Sequence, residues 1–358
     1  MNIGILTFQF AHNYGALLQA YALKTALSNK GADTQIINFI PTKAQREYSL
    51  NPFVAAKSIR SFAGSFKRFP KRLKQYRKFV MFQKRILGLS DPIFTENDLN
   101  LLERKCDAVI VGSDQVWNTK LSGTIGAYYL LSDIGKTRRY SYAASFGTTT
   151  INETQINYLK SAMKLFSCVS VRETSAADII YMYTGVRAEI VMDPVFLLPK
   201  DIWISFAEMV NRKEKKQAYI LYYTLAEDNE LKKLSEKLSY ETGLPISVIH
   251  PTIAINDFNG KLLRDVGPID FVWLIMNAAY VVSNSFHATA FSVIFGKKLC
   301  YRNIKNLQTR VQSLFEILKV KKEGNQPIYD LSSVDGELLK GYIDKSHEFL
   351  DRIILEER

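Results

Sequence analysis

Four clusters of polar and ionisable residues, each following a short apolar segment, could carry chemistry in this 358-residue sequence. They are "HNYG" at 12–15, "VGSDQVWN" at 111–118, "SVRE" at 170–173 and "SNSFHAT" at 283–289. Open α/β sheets bind ligands at the carboxyl ends of their strands, which is where such clusters would lie. We therefore expect the four clusters to converge on one cleft.

His287 is the leading catalytic candidate because it follows Ser283, Asn284 and Ser285 at the predicted start of a helix. The free backbone N–H groups of a helix start attract anions, and a histidine can donate or accept a proton near neutral pH. We predict that His287 acts on a bound anion, with Asn284 and Ser285 beside it. The alternative is a histidine with a purely structural role.

Arg172 and Asp114 are the other two ionisable candidates, and each has a structural alternative. The Arg172 guanidinium could grip a carboxylate or phosphate, or it could form an ion pair with Glu173 or another local carboxylate. Asp114 follows a buried strand and could act as a base toward a sugar hydroxyl. Alternatively, its side-chain oxygen caps the segment that follows.

Several common functions are not expected from the sequence. It contains neither a G-x-x-x-x-G-K-[ST] loop nor a G-x-G-x-x-G motif after the first strand, so nucleotide binding in those forms is not predicted. Neither an H-E-x-x-H motif nor a Cys/His cluster suggests a metal, and no G-x-S-x-G elbow suggests a serine hydrolase. The start "MNIGILTF" does not resemble a secretory leader, so we expect a cytoplasmic protein.

The elements that must position these residues alternate between short apolar runs and helical patterns. We predict an α/β protein with two Rossmann-like domains facing a cleft. The first domain covers residues 1–193, with a basic insertion at about 50–90, and the second covers 194–335. The last segment, 336–358, is predicted to be a helix that could cross back to the first domain.

The formal net charge of +12 comes almost entirely from one patch. Eleven Lys and Arg residues, and no Asp or Glu, lie between Lys57 and Arg85, so a nucleic-acid-binding protein is not expected. Such a patch could contact an anionic membrane surface or an acidic glycan. It could equally be a solvated basic face over a packed apolar stripe.

Six segments, in order, strongly resemble the polysaccharide pyruvyl transferase family and cover most of the chain to about residue 320. They are "NYGALLQAYAL", "DAVIVGSDQVWN", "YAASFG", "VSVRE", "VMDPVFLL" and "NSFHATAFSVIFGKKL". The resemblance implies a fold like that of the GT-B glycosyltransferases. It also implies transfer of a pyruvyl group from phosphoenolpyruvate, as co-substrate and without a cofactor, to two hydroxyls of one sugar. The acceptor would be a bacterial surface polysaccharide, such as an exopolysaccharide or capsule, or its lipid-linked precursor at the inner face of the membrane.

By this resemblance, His287 would be the general acid or phosphate partner, Arg172 would hold the donor, and Asp114 would position or deprotonate the acceptor. The acceptor or cleft loops match at four positions: Asn13, Gly15, Ser113 and Trp117. His12 lies outside the shared pattern.

The chain departs from the family pattern at Ser285. Several members carry S-x-R-F-H, with an arginine where this chain has Ser285. A donor site for a dianionic phosphate would thereby lose one cation. Arg310 or Lys297 could replace it, or the substrate differs.

Two rival functions differ from pyruvyl transfer in observable ways. A GT-B glycosyltransferase would release a nucleoside diphosphate and would need a carboxylate near the ribose, for which Asp270 and Glu316 are the candidates. A noncatalytic glycan- or nucleic-acid-binding protein would use the basic patch, and its binding would depend steeply on salt and tolerate substitution of His287.

Overall fold

Two six-stranded sheets organise the chain, one in each of two units. The computed structural model describes residues 1–41, 73–122, 126–210, 217–225, 228–249, 258–302, 309–324 and 327–355. The first unit comprises Met1–Phe69, Val80–Leu198 and Lys340–Arg358, and the second comprises Pro70–Phe79 and Pro199–Leu339.

The elements of the described residues are numbered in chain order. The strands are β1 (Asn2–Leu6), β2 (Asp33–Ile36), β3 (Ala108–Val111), β4 (Arg138–Ala144), β5 (Phe166–Val171), β6 (Glu189–Ile190), β7 (Ile220–Tyr223), β8 (Ile246–Ile249), β9 (Lys261–Leu263), β10 (Tyr280–Ser283), β11 (Lys298–Tyr301) and β12 (Ile328–Asp330). The helices are α1 (Tyr14–Asn29), α2 (73–81), α3 (Thr119–Ser122), α4 (Glu153–Ala162), α5 (Thr174–Thr184), α6 (Lys200–Glu208), α7 (Asn229–Thr242), α8 (Pro268–Asn277), α9 (Phe286–Phe295), α10 (Thr309–Ile317) and α11 (Gly336–Leu355).

The first sheet is parallel throughout and has the strand order β2-β1-β3-β4-β5-β6. Its central strands read as continuous apolar runs because helices cover both faces of a parallel sheet. All four residues of β3, "AVIV", are fully buried. The strand order reverses between β1 and β3, and ligands bind beyond the carboxyl ends of strands at such a reversal.

The second sheet has the order β12-β11-β10-β7-β8-β9 and is parallel except for β12. Its strand order reverses between β7 and β10. On one face, α8 packs against both α6 and α9. The rings of Trp203 in α6 and Phe291 in α9 meet edge-on, with their centroids 4.8 Å apart. This packing fixes α9, which begins three residues after the last residue of β10.

The predicted class, two Rossmann-like α/β units, is confirmed by the two sheets. Several elements differ from the sequence-based expectation: "AEIVMD" forms only the two-residue strand β6, and α6, β9 and β12 were not predicted. The predicted domain limits at 193 and 335 stay predictions. From Lys340 onward, α11 groups with the first unit, where Ser346 Oγ accepts a hydrogen bond from the Met192 N–H at 2.9 Å.

Most of the basic insertion, residues 42–72, lies outside the described residues. Its described end is α2 and the π-helical turn Phe82–Leu87. None of the helices in the described part of the chain has the length and apolar character needed to cross a bilayer.

Candidate active site

Arg172 lies directly after β5 and makes a buried ion pair with Asp193, at 2.8 Å between Nη2 and Oδ2. The same nitrogen donates to Ser113 Oγ, and Ser113 Oγ donates to Asp193 Oδ2 at 3.1 Å. All three side chains are almost completely buried, and a buried charge must be paired and hydrogen-bonded to be tolerated. The alternative left open by the sequence, a local ion pair, is therefore present, with Asp193 rather than Glu173 as the partner.

Hydrogen bonds link this ion pair to the reversal point of the first sheet. Thr7 follows β1, and its Oγ1 donates to the Ser113 carbonyl at 3.0 Å while accepting from Gln19 Nε2 at 2.8 Å. Gln19 belongs to α1, so a continuous polar network joins α1, β1, β3 and β5. The network holds the peptide between Ser113 and Asp114 from one side.

Asp114 has a left-handed backbone with φ 82°, which costs energy for a residue with a Cβ. Its carbonyl accepts from the N–H groups of Val116 and Ser145, at 2.8 and 3.1 Å. Its carboxylate Oδ1 accepts from the Gln115 N–H at 2.9 Å, so it does cap the following turn. The side chain is only half-buried, and the carboxylate is therefore both oriented and accessible.

Glu173 is a buried carboxylate that sequence reasoning treated only as a partner for Arg172. It is the residue before α5, and its Oε1 accepts from Ser145 Oγ at 2.7 Å. A carboxylate at a helix start is stabilised by the helix dipole. Among the described residues at this edge, Glu173, Asp193 and Asp114 are three carboxyl groups beside the single guanidinium of Arg172.

The predicted cleft-loop residues have different environments. Asn13 caps α1, accepting from the Ala16 N–H at 3.3 Å, and Gly15 is buried in the first turn of that helix. Trp117 is fully buried, stacks on Tyr129 at 5.9 Å and donates from Nε1 to the Tyr128 carbonyl. Its assignment to an acceptor loop stays a prediction, and its burial does not support it.

In the second unit, the predicted residues lie where β10 ends and α9 begins. Ser283 Oγ donates to the Tyr223 carbonyl at 2.5 Å, and Asn284 Oδ1 accepts from the Leu225 N–H at 2.8 Å, so both are tied to the end of β7. Ser285 is the N-cap residue, but its Oγ lies 3.5 Å from the Ala288 N–H. The first turn of α9 contains no acidic residue, which keeps the partial positive charge of the helix start available to an anion.

His287 occupies the first turn of α9 and is 6% exposed. Its ring meets that of Phe286 edge-on, with centroids 5.2 Å apart. The Arg310 guanidinium lies over the same Phe286 ring at 5.6 Å from its centroid. Burial raises the pKa of Tyr301, at the end of β11, to about 12, while the positive charge of Arg310 opposes this rise. Arg310 therefore lies near both His287 and the carboxyl edge of the sheet.

Lys297, the other predicted replacement cation, lies at the opposite edge of the sheet. It precedes β11, and its N–H donates to the Ser292 carbonyl near the end of α9. A ten-residue helix separates this position from His287 by about 15 Å. Burial and nearby Lys200 lower the pKa of Lys297. The prediction that Lys297 replaces the missing arginine is therefore wrong.

Arg302, which the sequence analysis did not single out, follows β11 directly. Its Nη1 lies 3.0 Å from Oδ1 of Asp228, the N-cap residue of α7. The available signal was its position: an arginine immediately after the apolar run "KLCY".

The structure thus groups Ser113, Asp114 and Arg172 in one unit, and Asn284, Ser285, His287 and Arg310 in the other. The convergence of all four clusters on one cleft stays a prediction. Within the described residues, no group of three or more His, Cys, Asp or Glu side chains is arranged to hold a metal ion.

A family model described as polysaccharide pyruvyl transferase matches residues 13–303 of this chain. By sequence, the chain has no significant match among curated proteins.

Solved structures of similar fold include UDP-GlcNAc 2-epimerases. The enzyme of Methanocaldococcus jannaschii, in complex with UDP-GlcNAc and UDP, is 16% identical with a TM-score of 0.51, covering 99% of this chain and 100% of that chain. The enzyme of Neisseria meningitidis, bound to UDP-GlcNAc, is 10% identical with a TM-score of 0.54, covering 100% of this chain and 99% of that chain. At these identities the likeness shows the fold alone, which is GT-B-like as predicted.

Proposed function

Because the chain belongs to the polysaccharide pyruvyl transferase family, a family of transferases, we propose that it moves a pyruvyl group from phosphoenolpyruvate to two hydroxyls of one sugar. The sugar belongs to a bacterial surface polysaccharide or its lipid-linked precursor, and the products are a cyclic ketal and phosphate. The observation that carries the proposal is His287 in the first turn of α9, beside the reversal point of the second sheet. No cofactor is proposed beyond phosphoenolpyruvate as co-substrate.

The start of α9 is the better of two helix starts for the anionic donor. The other, at α7, is already occupied by the Asp228 carboxylate, which accepts from the N–H groups of Glu230 and Leu231 at 3.1 Å each. The start of α9 has only a serine cap with a long contact. A phosphate or carboxylate of the donor is therefore stabilised more strongly at the start of α9 than at the start of α7. Arg310 adds positive charge near α9.

The proposed chemistry balances with one acid and one base. The methylene carbon of phosphoenolpyruvate takes a proton and becomes a methyl group, while one sugar hydroxyl adds to the neighbouring carbon and loses its proton. The second hydroxyl then attacks the same carbon, the bond between that carbon and the phosphate oxygen breaks, and the proton of the second hydroxyl leaves with the phosphate. His287 is the proposed donor of the first proton or the partner of the leaving phosphate.

Asp114 is the proposed acceptor-side residue. Its carboxylate can accept a hydrogen bond from a sugar hydroxyl and take up the proton lost on attack. The positive charge of Arg172 is balanced by Asp193, so we propose that Arg172 orients the Ser113–Asp114 turn, in place of the donor contact implied by resemblance. The carboxyl groups among the described residues of this edge favour a neutral sugar over a dianion there.

A donor screen tests the proposal. Phosphoenolpyruvate should raise the melting temperature of the full-length protein, because a ligand that binds only the folded state stabilises it. Incubation with phosphoenolpyruvate and a panel of sugars having two neighbouring free hydroxyls should release phosphate. Mass spectrometry should then find one ketal-linked pyruvate on the acceptor. Stabilisation by nucleotide sugars alone, with release of a nucleoside diphosphate, would sink the proposal.

A nucleotide-sugar transferase is the second candidate because the structural neighbours above are bound to UDP-GlcNAc. The two predicted ribose carboxylates have other contacts here. Asp270 accepts from the Gly267 N–H and pairs with Lys78, both at 2.8 Å, and exposed Glu316 accepts from Gln312 at 2.9 Å. Asp270 is thus committed to capping α8, which favours the pyruvyl reaction.

We further propose that the protein contacts the anionic inner membrane surface, where a lipid-linked acceptor would reside. Along α2 and the turn that follows, Lys74, Arg77, Lys84 and Arg85 are exposed, as is Met81 in their midst. These four cations lie within twelve consecutive positions of the chain, and each cation near an anionic surface contributes about 1 kcal/mol.

Sedimentation with vesicles tests this contact. Charge reversal of Lys74, Arg77, Lys84 and Arg85 should abolish binding to phosphatidylglycerol vesicles without lowering turnover on a soluble acceptor. Reversal of the exposed lysines Lys233 and Lys237 on α7 is the control. Equal vesicle binding by both variants would refute the membrane proposal.

A further inference from the structure

The serine at position 285 leaves the proposed donor site short of a cation, since phosphoenolpyruvate carries both a phosphate and a carboxylate. Lys297 lies at the wrong edge of the sheet to supply it. We infer that Arg302, oriented by Asp228, is a donor-binding residue that compensates for Ser285. This inference rests on the proposed function.

The strand register places Arg302 next to the start of the predicted donor site. Ser283, the last residue of β10, is paired with Tyr301 of β11 on one side and with Tyr223 of β7 on the other. Arg302 is the next residue after Tyr301, and Asp228 lies between β7 and α7. The ion pair between them therefore joins the two strands that flank β10, at the edge where Asn284 and Ser285 leave that strand.

Asp228 is a rigid anchor for the guanidinium. Its side chain is 6% exposed, and its Oδ1 accepts from Glu230 N–H, Leu231 N–H and Arg302 Nη1. These contacts fix the carboxylate without filling the guanidinium fork. The Arg302 side chain remains 48% exposed, so further N–H donors are accessible at the carboxyl edge.

Arg302 and Arg310 differ in a way that suits two roles. Arg310 is 7% exposed and lies over the Phe286 ring, so little of its guanidinium is accessible to a ligand. Arg302 has an accessible planar fork, which matches a carboxylate or phosphate with two parallel hydrogen bonds. A purely structural ion pair that ties α7 to β11 would instead have no effect on anion binding.

Anion-dependent stabilisation of the full-length protein separates these roles. Melting temperatures are measured against increasing phosphoenolpyruvate and, separately, inorganic phosphate, for the wild type, Arg302→Gln, Arg302→Lys and Arg264→Gln. Arg264 is the matched control because it follows β9 at the same edge of the same sheet. It lies three strands from β10, or about 14 Å, whereas Arg302 lies one strand away.

Arg302→Gln should weaken phosphoenolpyruvate binding about tenfold or more, which corresponds to about 1.4 kcal/mol, the scale of one charge-assisted hydrogen bond. Arg302→Lys should restore part of the affinity, and Arg264→Gln should bind as the wild type does. Where turnover is measurable, KM for phosphoenolpyruvate should rise with little change in kcat. Asp228→Asn retains a capping side chain and should weaken binding by a smaller factor.

Wild-type anion binding by Arg302→Gln would overturn the inference, as would a wild type that neither anion stabilises. Equal loss in Arg302→Gln and Arg264→Gln would also overturn it, since that result indicates a general charge effect. The proposed function is judged separately, by ketal formation with the wild type. Phosphate binding that depends on Arg302, without ketal formation, would support the anion site and reject the pyruvyl reaction.

Discussion

The strand order of each sheet reverses once, and the described residues at the two carboxyl edges differ in their charged groups and in how exposed those groups are. At the first edge, Arg172 pairs with Asp193 in a buried network that includes Ser113, and further carboxyl groups lie at Asp114 and Glu173. At the second edge, His287 begins a helix without acidic residues in its first turn, and Arg310 lies close by. This difference is the basis of our proposal that the sugar binds at the first edge and the anionic donor at the second.

The difference depends on where each edge places its carboxylates. Asp193 and Asp228 both follow a strand, both pair with an arginine and both cap a following turn. Asp193 holds a guanidinium that is completely buried, whereas Asp228 holds one that is half-exposed. The Arg172–Asp193 pair therefore has a structural role, whereas the Arg302–Asp228 pair leaves N–H donors of Arg302 accessible to a ligand. This contrast can be tested by substitutions at five positions: His287, Asp193, Asp228, His12 and Asp114.

His287→Ala should reduce kcat about 10²- to 10⁴-fold, the range for loss of a general acid or base. The melting temperature should stay near that of the wild type, because the alanine is compatible with α9. His347→Ala, in α11 of the first unit, is the control and should retain turnover. Phosphate release from phosphoenolpyruvate is the measurement, and wild-type turnover by His287→Ala would remove this residue from the mechanism.

Asp193→Asn and Asp228→Asn form a matched pair for stability. Removing the charge of Asp193 leaves Arg172 buried without its counter-charge, which should cost about 3–5 kcal/mol of unfolding free energy. Removing that of Asp228 should cost at most about 1 kcal/mol, since Arg302 is half-exposed. Urea unfolding gives both values. Equal losses would show that the two ion pairs are equivalent and would break the contrast.

His12, at the first edge, should make stability depend on pH. Burial lowers its pKa from 6.5 to about 4, so below pH 6.5 the unfolded chain binds a proton that the folded chain does not. Stability is therefore fully present above pH 6.5 and declines as the pH falls toward 4, by up to about 3 kcal/mol.

His12→Asn should flatten that decline, as measured by urea unfolding between pH 7 and pH 4. An unchanged slope in the variant would show that other groups cause it. At neutral pH an uncharged His12 adds no positive charge to the first edge, in keeping with the contrast between the edges.

Asp114 should show the smallest effect on stability and a clear effect on activity. Asn tolerates a left-handed backbone and can also cap, so Asp114→Asn should change stability by less than about 0.5 kcal/mol. Asp114→Gly relieves the strain at φ 82° and should be as stable as the wild type or slightly more so.

Both Asp114 variants should lose acceptor-dependent turnover while binding phosphoenolpyruvate normally, which calorimetry and phosphate release can separate. Weakened donor binding in Asp114→Asn would contradict the assignment of the acceptor to the first edge.

The strand ends could be predicted from the sequence because buried parallel strands appear as uninterrupted apolar runs followed by polar residues. "DAVIVGSD" contains β3 and Asp114, and "YVVSNSFH" contains β10 and His287. Helix starts were predictable for a similar reason: Asn13 and Ser285 are residues that cap helices. These signals depend only on residues that are adjacent in the sequence, so they can be recognised without knowledge of the fold.

The partners of Arg172 and the position of Lys297 could not be predicted in the same way. Glu173 is adjacent to Arg172 in sequence, but successive side chains of an extended segment point in opposite directions. Asp193 reaches Arg172 because β5 and β6 are neighbours in the sheet. Lys297 is near His287 in sequence, but α9 separates the two by its full length.

The sequence by itself therefore determined the α/β class, the strand ends that carry chemistry, and the family, since each depends on local patterns of residue type. Only the tertiary structure decided at which of those ends a paired arginine remains accessible to a ligand. Both Arg172 and Arg302 pair with a buried aspartate, but the Arg172 side chain is itself buried, whereas the Arg302 side chain is half-exposed and can still donate to a ligand. Arg172 and Arg302 both follow apolar strands, and only their neighbours distinguish them.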